Sequence, residues 1–196
     1  MLARVSNIEA FRRWREDEDQ SVEQLVEYIT VDNPTKPMQA GTAFHEALEH
    51  AVDGTYDVLQ ARGYIFHLPD AELVLPSIRE VRAYGTYGGL TVTGKVDCLD
   101  GLRVDDHKTT SRFDAERYLD GYQWRYYLDL FGADVFRWNV FVLKEVGDLE
   151  YEVAAPQLLE VNRYPRLHED CMQLALDYLE FAREFLPVGY APEVAA

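Results

Sequence analysis

Cysteine is nearly absent. The 196 residues include only Cys98 and Cys171, far apart and in no C-x-x-C pair. This argues against a disulfide framework, a zinc knuckle or an iron–sulfur cluster, and it suits a reducing cytoplasm. Long apolar runs are missing too. Nothing approaches the roughly 20 residues of a membrane span, and the opening MLARVSNIEAFRR has no apolar signal core. A soluble cytoplasmic protein with no membrane partner is expected. Repeats, low-complexity tracts and long linkers are lacking, so residues 1–196 read as one domain. The EF-hand and P-loop patterns are missing as well.

Positive charge is scarce: 19 Lys and Arg stand against 35 Asp and Glu, a net charge of −16. The deficit is uneven. Residues 1–94 balance at −7 and residues 145–196 at −8, whereas residues 95–144, with 8 basic and 9 acidic side chains, balance at −1. Divalent cations bound to that middle block would turn it positive, so a polyanion could approach there and be repelled elsewhere. An acidic surface that serves solubility explains the total equally well.

What is present is a core: 47% of residues are hydrophobic and 13% aromatic. Ser6–Glu9 and Ser21–Gln24 match the capping box, so two helices are expected to start there. A third runs from about Met38 to Val52, with Ala40, Phe44, Ala47, Leu48 and Ala51 at helical spacing. β-rich segments follow at Glu72–Leu75, Ile78–Tyr84, Leu90–Leu99 and Leu102–Thr109. A helix over Asp114–Phe131 ends at Gly132, a strand pair covers Val135–Val146 and Leu149–Ala155, and a last helix spans Pro165–Phe185. The order implies an α/β (α+β) chain with a mixed central sheet flanked by helices.

The segment VTGKVDCLDGLRVDDHKTT, residues 92–110, carries four aspartates, a histidine and two lysines among apolar residues. Asp100–Gly101 signals a two-residue hairpin turn. Such a turn puts Asp97 opposite Val104 and makes Asp97 and Asp106 diagonal neighbours on one face, with Cα atoms about 7–8 Å apart. Alternation brings Lys108, Leu102 and Val104 to that face and sends Asp105 and His107 to the other. Two carboxylates at a core margin are costly unless compensated. A hard divalent cation would compensate them, and so would a polar hairpin face with a Lys–Asp ion pair; the pattern alone weighs both evenly.

Four elements then occur in order: G-x-x-x-H at Gly41–His45, G-x-x-D at Gly94–Asp97, D-x-K-T at Asp106–Thr109 and Q-x-x-x-Y at Gln123–Tyr127. This series resembles the PD-(D/E)xK nuclease superfamily, and within it the RecB-like, phage-type recombination exonuclease branch, with a restriction-endonuclease-like core. The resemblance implies that His45, Asp97, Asp106 and the backbone carbonyl of His107 hold catalytic Mg²⁺ or Mn²⁺. It implies that Lys108 orients or helps deprotonate the attacking water and stabilises charge on the phosphate, and that Gln123 and Tyr127 support the site. Glu49, on the face of His45, and Glu46 lie near that helix. Arg112, Arg117 and Arg125 are candidate DNA contacts in the near-neutral block, and Tyr118, Tyr122 and Tyr126 offer stacking faces if exposed. The four cluster cysteines of the CRISPR adaptation nucleases and any helicase domain are missing. The implied activity is metal-dependent hydrolysis from the ends of linear DNA in recombination or repair, in a bacterial or phage-infected cell. A ring-shaped homo-oligomer and a single-strand-annealing or single-strand-binding partner are compatible with the resemblance. The alternatives are a restriction-type endonuclease and a non-catalytic DNA-binding subunit.

Overall fold

The computed structural model describes residues 1–73 and 75–192, with the backbone alone for 69–73. Its elements are β1 (Leu2–Arg4), α1 (Val5–Glu16), α2 (Val22–Thr30), α3 (Lys36–His50), β2 (Gly54–Ala61), β3 (Tyr64–Leu73), β4 (Ile78–Tyr87) and β5 (Leu90–Asp100). They continue as β6 (Arg103–Thr110), α4 (Ala115–Leu119), α5 (Gln123–Phe131), β7 (Val135–Gly147), β8 (Glu150–Val153), β9 (Gln157–Asn162) and α6 (Leu167–Phe185). The strand expected at Glu72–Leu75 includes Val74, which lies outside the described residues, as do residues 193–196 of the expected single domain.

The strands form a mixed sheet in the order β1-β5-β6-β7-β8-β3-β2, with β4 paired to β5 and β9 paired to β7. β6 and β7 run parallel, as do β1 with β5 and β3 with β8. The chain thus has the mixed sheet with flanking helices that the element order implies.

Two apolar clusters cover opposite sides of the sheet's centre. Successive side chains of a strand point to opposite faces, and β7 supplies both clusters. Phe136, Trp138 and Val140 join α1, α2, α5 and α6, while Phe141 joins Phe44 of α3 and Phe66 of β3. The β6–β7 register carries the same division onto β6: Val104, Asp106 and Lys108 align with Phe136, Trp138 and Val140, and His107 and Thr109 align with Asn139 and Phe141.

Several expectations change for physical reasons. The capping box at Ser21 forms, with Gln24 N donating to Ser21 Oγ at 3.3 Å and Ser21 N donating to Gln24 Oε1 at 2.9 Å. The one at Ser6 does not. The first residues join β1 beside Thr91–Thr93, so α1 starts at Val5 with Arg4 as its cap and Ser6 lies inside it. The β2–β3 hairpin, turning at Arg62–Gly63, and the strands β1 and β9 go beyond the elements expected from sequence.

The helix expected over Asp114–Phe131 is two helices. Glu9 of α1 reaches the break and accepts Tyr122 N at 2.6 Å through Oε2, while its Oε1 accepts Arg12 Nη2 at 3.1 Å. Trp124 Nε1 donates to Leu119 O at 3.2 Å, and Arg125 donates to Gly121 O. The backbone groups released by the break are thus satisfied by side chains. Glu9→Ala leaves Tyr122 N–H and Arg12 without this partner, which should cost about 1–3 kcal/mol. Urea denaturation should show a lower midpoint at unchanged slope.

Candidate active site

The D-x-K strand is local and regular, and alternation sorts its charges. Asp105 meets Arg103 at 3.0 Å and Arg137 at 3.7 Å on one face. Asp106 and Lys108 point to the other, their Oδ2 and Nζ atoms 2.7 Å apart. The turn itself needs correction. Asp100 pairs with Arg103, Leu99 with Val104 and Cys98 with Asp105, so the two turn residues are Gly101 and Leu102. Gly101 takes φ +58°, where a side chain is strained, and Leu102 is exposed rather than part of an apolar face.

The consequence falls on Asp97. Asp97 lies outside the β5–β6 pairing, which runs from Asp100–Arg103 to Cys98–Asp105. It is therefore not the diagonal neighbour of Asp106 across a closed ladder. It sits where the two strands part, and its Oδ2 accepts the backbone N–H of His107 at 2.5 Å. From the opposite side of the sheet, His45 of α3 brings Nδ1 to 3.5 Å from Asp97 Oδ1.

The motif glycines are points of contact between motifs. A Cβ on Gly41 would lie 2.7 Å from Thr109 Oγ1, so its absence lets α3 rest on β6. A Cβ on Gly94 would lie 2.5 Å from Tyr127 Cε1, so its absence lets the Tyr127 ring rest on β5. Tyr127 Oη in turn accepts Gln123 Nε2 at 3.2 Å.

Burial tunes these groups in different directions. Burial disfavours the Asp97 carboxylate, but His45 and Lys108 outweigh it and hold this carboxyl well below the usual range. Burial of Asp106, with Asp97 adding like charge, overcomes Lys108 and holds the Asp106 carboxyl above the usual range. Lys108 resists burial because Asp106 and Asp97 face it, and its pKa is raised. It is an ammonium here. Burial pushes the His107 imidazole down to about 4, so it is neutral at pH 7. The His107 ring lies 3.6 Å from Cys98 Sγ through Nε2 and 3.4 Å from Asn139 Nδ2 through Nδ1.

The donors suit a hard divalent cation. Asp106 Oδ2 is buried without a hydrogen bond although Lys108 Nζ lies 2.7 Å away, and His45 and Asp97 form a second pair at 3.5 Å. Among the described residues, no three His, Cys, Asp or Glu side chains close around a common point. Asp97 leans on His45 and Asp106 on Lys108, and an ion would have to draw the two pairs together.

Lys108 opens on a cleft of about 390 Å³ lined also by Thr109, Gln123, Arg117, Tyr118 and Trp138. Its far wall is α1, with Glu9, Arg12, Arg13 and Glu16, which sequence reasoning missed. The spacing E-x-x-R-R-x-x-E is the one signal that could have marked that wall. Arg12 is bound by Glu9 and Glu16, whereas Arg13 is half-exposed, its Nε donating to Glu9 O at 3.5 Å and lying 3.8 Å from Glu9 Oε1. Arg112 and Arg117 are exposed. Arg125 is committed to the protein, its guanidinium 4.4 Å from the Tyr122 ring centre and 4.5 Å from that of Trp124. It therefore covers Tyr122. Tyr126 is fully buried and donates from Oη to Cys171 O at 2.6 Å, so it has no face to offer a base. Tyr118 is partly buried and lines the cleft. Glu49 borders a small pocket beside His45, and Glu46 pairs with Arg62.

No protein-family model and no curated protein matches the chain. Among solved structures it is similar to SSO0001, with a TM-score of 0.51 and 15% identity over 98% of this chain and 79% of that one. It is also similar to a protein of Eubacterium rectale provisionally named an exonuclease, with a TM-score of 0.52 and 10% identity over 92% of this chain and 79% of that one. LHK-Exo, solved in complex with dAMP, aligns over 93% of this chain and 89% of its own at 11% identity and a TM-score of 0.47. At such identities the likeness is one of fold, and the fold is the mixed sheet flanked by helices that the chain shares with the Eubacterium rectale structure.

Proposed function

We propose that the chain is a metal-dependent deoxyribonuclease that shortens linear DNA from its ends. The observation that carries this reading is the buried Asp106–Lys108 pair on β6, with Lys108 forming one wall of the cleft and Asp97 anchored by the His107 N–H where β5 and β6 part. His45, Asp97, Asp106 and the His107 carbonyl would hold Mg²⁺ or Mn²⁺. Bound there, the metal would polarise a phosphoryl oxygen and supply hydroxide near neutral pH.

The chain's own groups do the rest. Lys108, 29% exposed and fixed as a cation by Asp106, presents positive charge to a phosphate in the cleft. It acts as a donor and an electrostatic stabiliser rather than as a base. Gln123 lines the cleft, and its bond to Tyr127 fixes the Gln123 amide within reach of a strand. His107 N–H holds Asp97 in place. Arg13 and Arg117 are the cleft's exposed cations, too few to grip a long duplex from the side, which favours one strand entering at an end.

The same plasmid offered as a linear duplex and as a closed circle tests this. With Mg²⁺, the linear form should be shortened progressively to nucleotides or short oligomers while the closed circle stays intact. Nicking of the circle at discrete positions would instead identify an endonuclease, and activity undiminished in excess EDTA would remove the metal from the mechanism. A recombination or repair role, and a ring-shaped oligomer that holds the strand over many turnovers, are natural extensions of this activity.

A further inference from the structure

α3 carries His45, and its C-terminus ends without the usual device. The last carbonyls of a helix lack partners within it and carry the negative end of its dipole, and a glycine in left-handed conformation commonly caps them. Here the cap residue is Ala51 with φ −70° and ψ 153°, and its N–H makes only the 3.2 Å bond to Leu48 O. The cap comes from another strand. Arg79 of β4 places Nη1 3.3 Å from Leu48 O, 3.0 Å from Glu49 O and 2.6 Å from Ala51 O, while Nε donates to Pro76 O at 2.9 Å.

The position of Arg79 gives this cap a second meaning. Its register partner is Cys98, the residue after Asp97. Leu48 lies three residues after His45, one turn further along the same helix face. One guanidinium thus ties the end of the helix that carries His45 to the strand segment that carries Asp97. A pocket of about 10 Å³ lies between them, lined by His45, Glu49, Arg79, Asp97 and His107. Little slack is left for α3 to slide along β5.

We infer that Arg79 is a positioning residue of the candidate site: it sets the rotation and height of α3 and so the separation between His45 and Asp97. This inference rests on the metal-dependent reading only where it concerns ions, and its first readout needs none. In metal-free protein, Arg79→Lys and Arg79→Met should both displace the His45 imidazole resonances in two-dimensional NMR, with the larger change in Arg79→Met. Resonances of His168, remote on α6, should stay in place. In calorimetric titration with Mn²⁺ alone, Arg79→Met should bind about 10–100-fold more weakly than the parent, as when an outer partner of a metal ligand is removed. Arg79→Lys should fall between them, because it keeps the charge but not the fork of donors.

Should Arg79→Met fail to fold, the NMR and Mn²⁺ comparisons stand on Arg79→Lys. Unmoved His45 resonances with parental Mn²⁺ affinity would overturn the inference, even with a lowered melting temperature, because Arg79 would then be a helix cap and nothing more. A parent protein that binds no Mn²⁺, with His45 still displaced in the variants, would uphold the positioning role and sink the metal reading instead.

Discussion

Asp106→Asn should abolish hydrolysis and, in the same protein without metal, raise the melting temperature. The loss of activity, at least about 100-fold, is the scale expected when a group that binds metal or stabilises transition-state charge is removed. The gain in stability follows from linkage. Asp106 has a folded-state pKa above its unfolded value, chiefly through burial, with Asp97 adding repulsion. A carboxyl of that kind is easier to ionise in the unfolded chain, so its charge penalises folding at neutral pH, and the penalty fades as pH falls through the folded pKa. Asparagine keeps the shape and removes the charge.

Asp97 has the opposite sign. Its pKa is depressed, because His45 and Lys108 outweigh its burial. It therefore contributes stability above the unfolded carboxyl pKa, and that contribution is lost as pH falls through the folded value. Asp97→Asn should lower the melting temperature while abolishing hydrolysis to a similar degree. Each ~1 kcal/mol should appear as about 2–4 °C in a chain of this size. Calorimetry of the two variants at pH 7 in EDTA checks the contrast; equal signs for both would contradict the electrostatics described for the site.

Gly94→Ala should damage activity more than stability. The added methyl would lie 2.5 Å from Tyr127 Cε1, 2.9 Å from Cδ1 and 3.2 Å from Val5 Cγ2. The Tyr127 ring cannot swing aside easily. It is buried, it stacks on Phe136 with centroids 6.1 Å apart, and its hydroxyl is held by Gln123. Overpacking of this type costs about 1–3 kcal/mol. The charges of Asp106 and Lys108 act on Tyr127, and misplacement of catalytic groups by about 1 Å can cost about 100-fold in rate. At a temperature where the variant is fully folded, turnover should fall at least about tenfold. Leu174→Ala on α6 should lower the melting temperature comparably and leave turnover intact. Wild-type turnover in Gly94→Ala would show that Tyr127 needs no fixed place.

The parts of this architecture legible in the sequence are those set by local periodicity. Alternation along β6 separates Asp106 and Lys108 from Asp105 and His107 whatever the strand pairs with. The Asp–Gly turn misleads because Gly101, at φ +58°, takes the first rather than the second turn position, so Asp100 joins the ladder opposite Arg103 and the turn falls on Gly101–Leu102. The β2–β3 hairpin is hidden because Arg62 adopts φ 51° beside Gly63 at φ 81°, a conformation that Asn or Asp would have advertised. Other features have no local signal. The break between α4 and α5 depends on Glu9, 113 residues before Tyr122. The cap on α3 depends on Arg79, 28 residues after Ala51. The aromatic and arginine residues of α5 look alike in sequence, and only tertiary packing separates Gln123, in the cleft, from Tyr126, in the core.

The division of β7 between two apolar clusters has a bearing on how the molecule would open. His45 rides on the layer that contains Phe44 and Phe66, while Asp106 and Lys108 face the layer built on α1, α5 and α6. Either layer could loosen as a cooperative unit without dissolving the other, and the 3.5 Å approach of His45 to Asp97 would be the first to separate. An ion held by both layers would fasten them together. Amide exchange in α3 and in α5 would then slow in concert, and two unfolding units would merge into one.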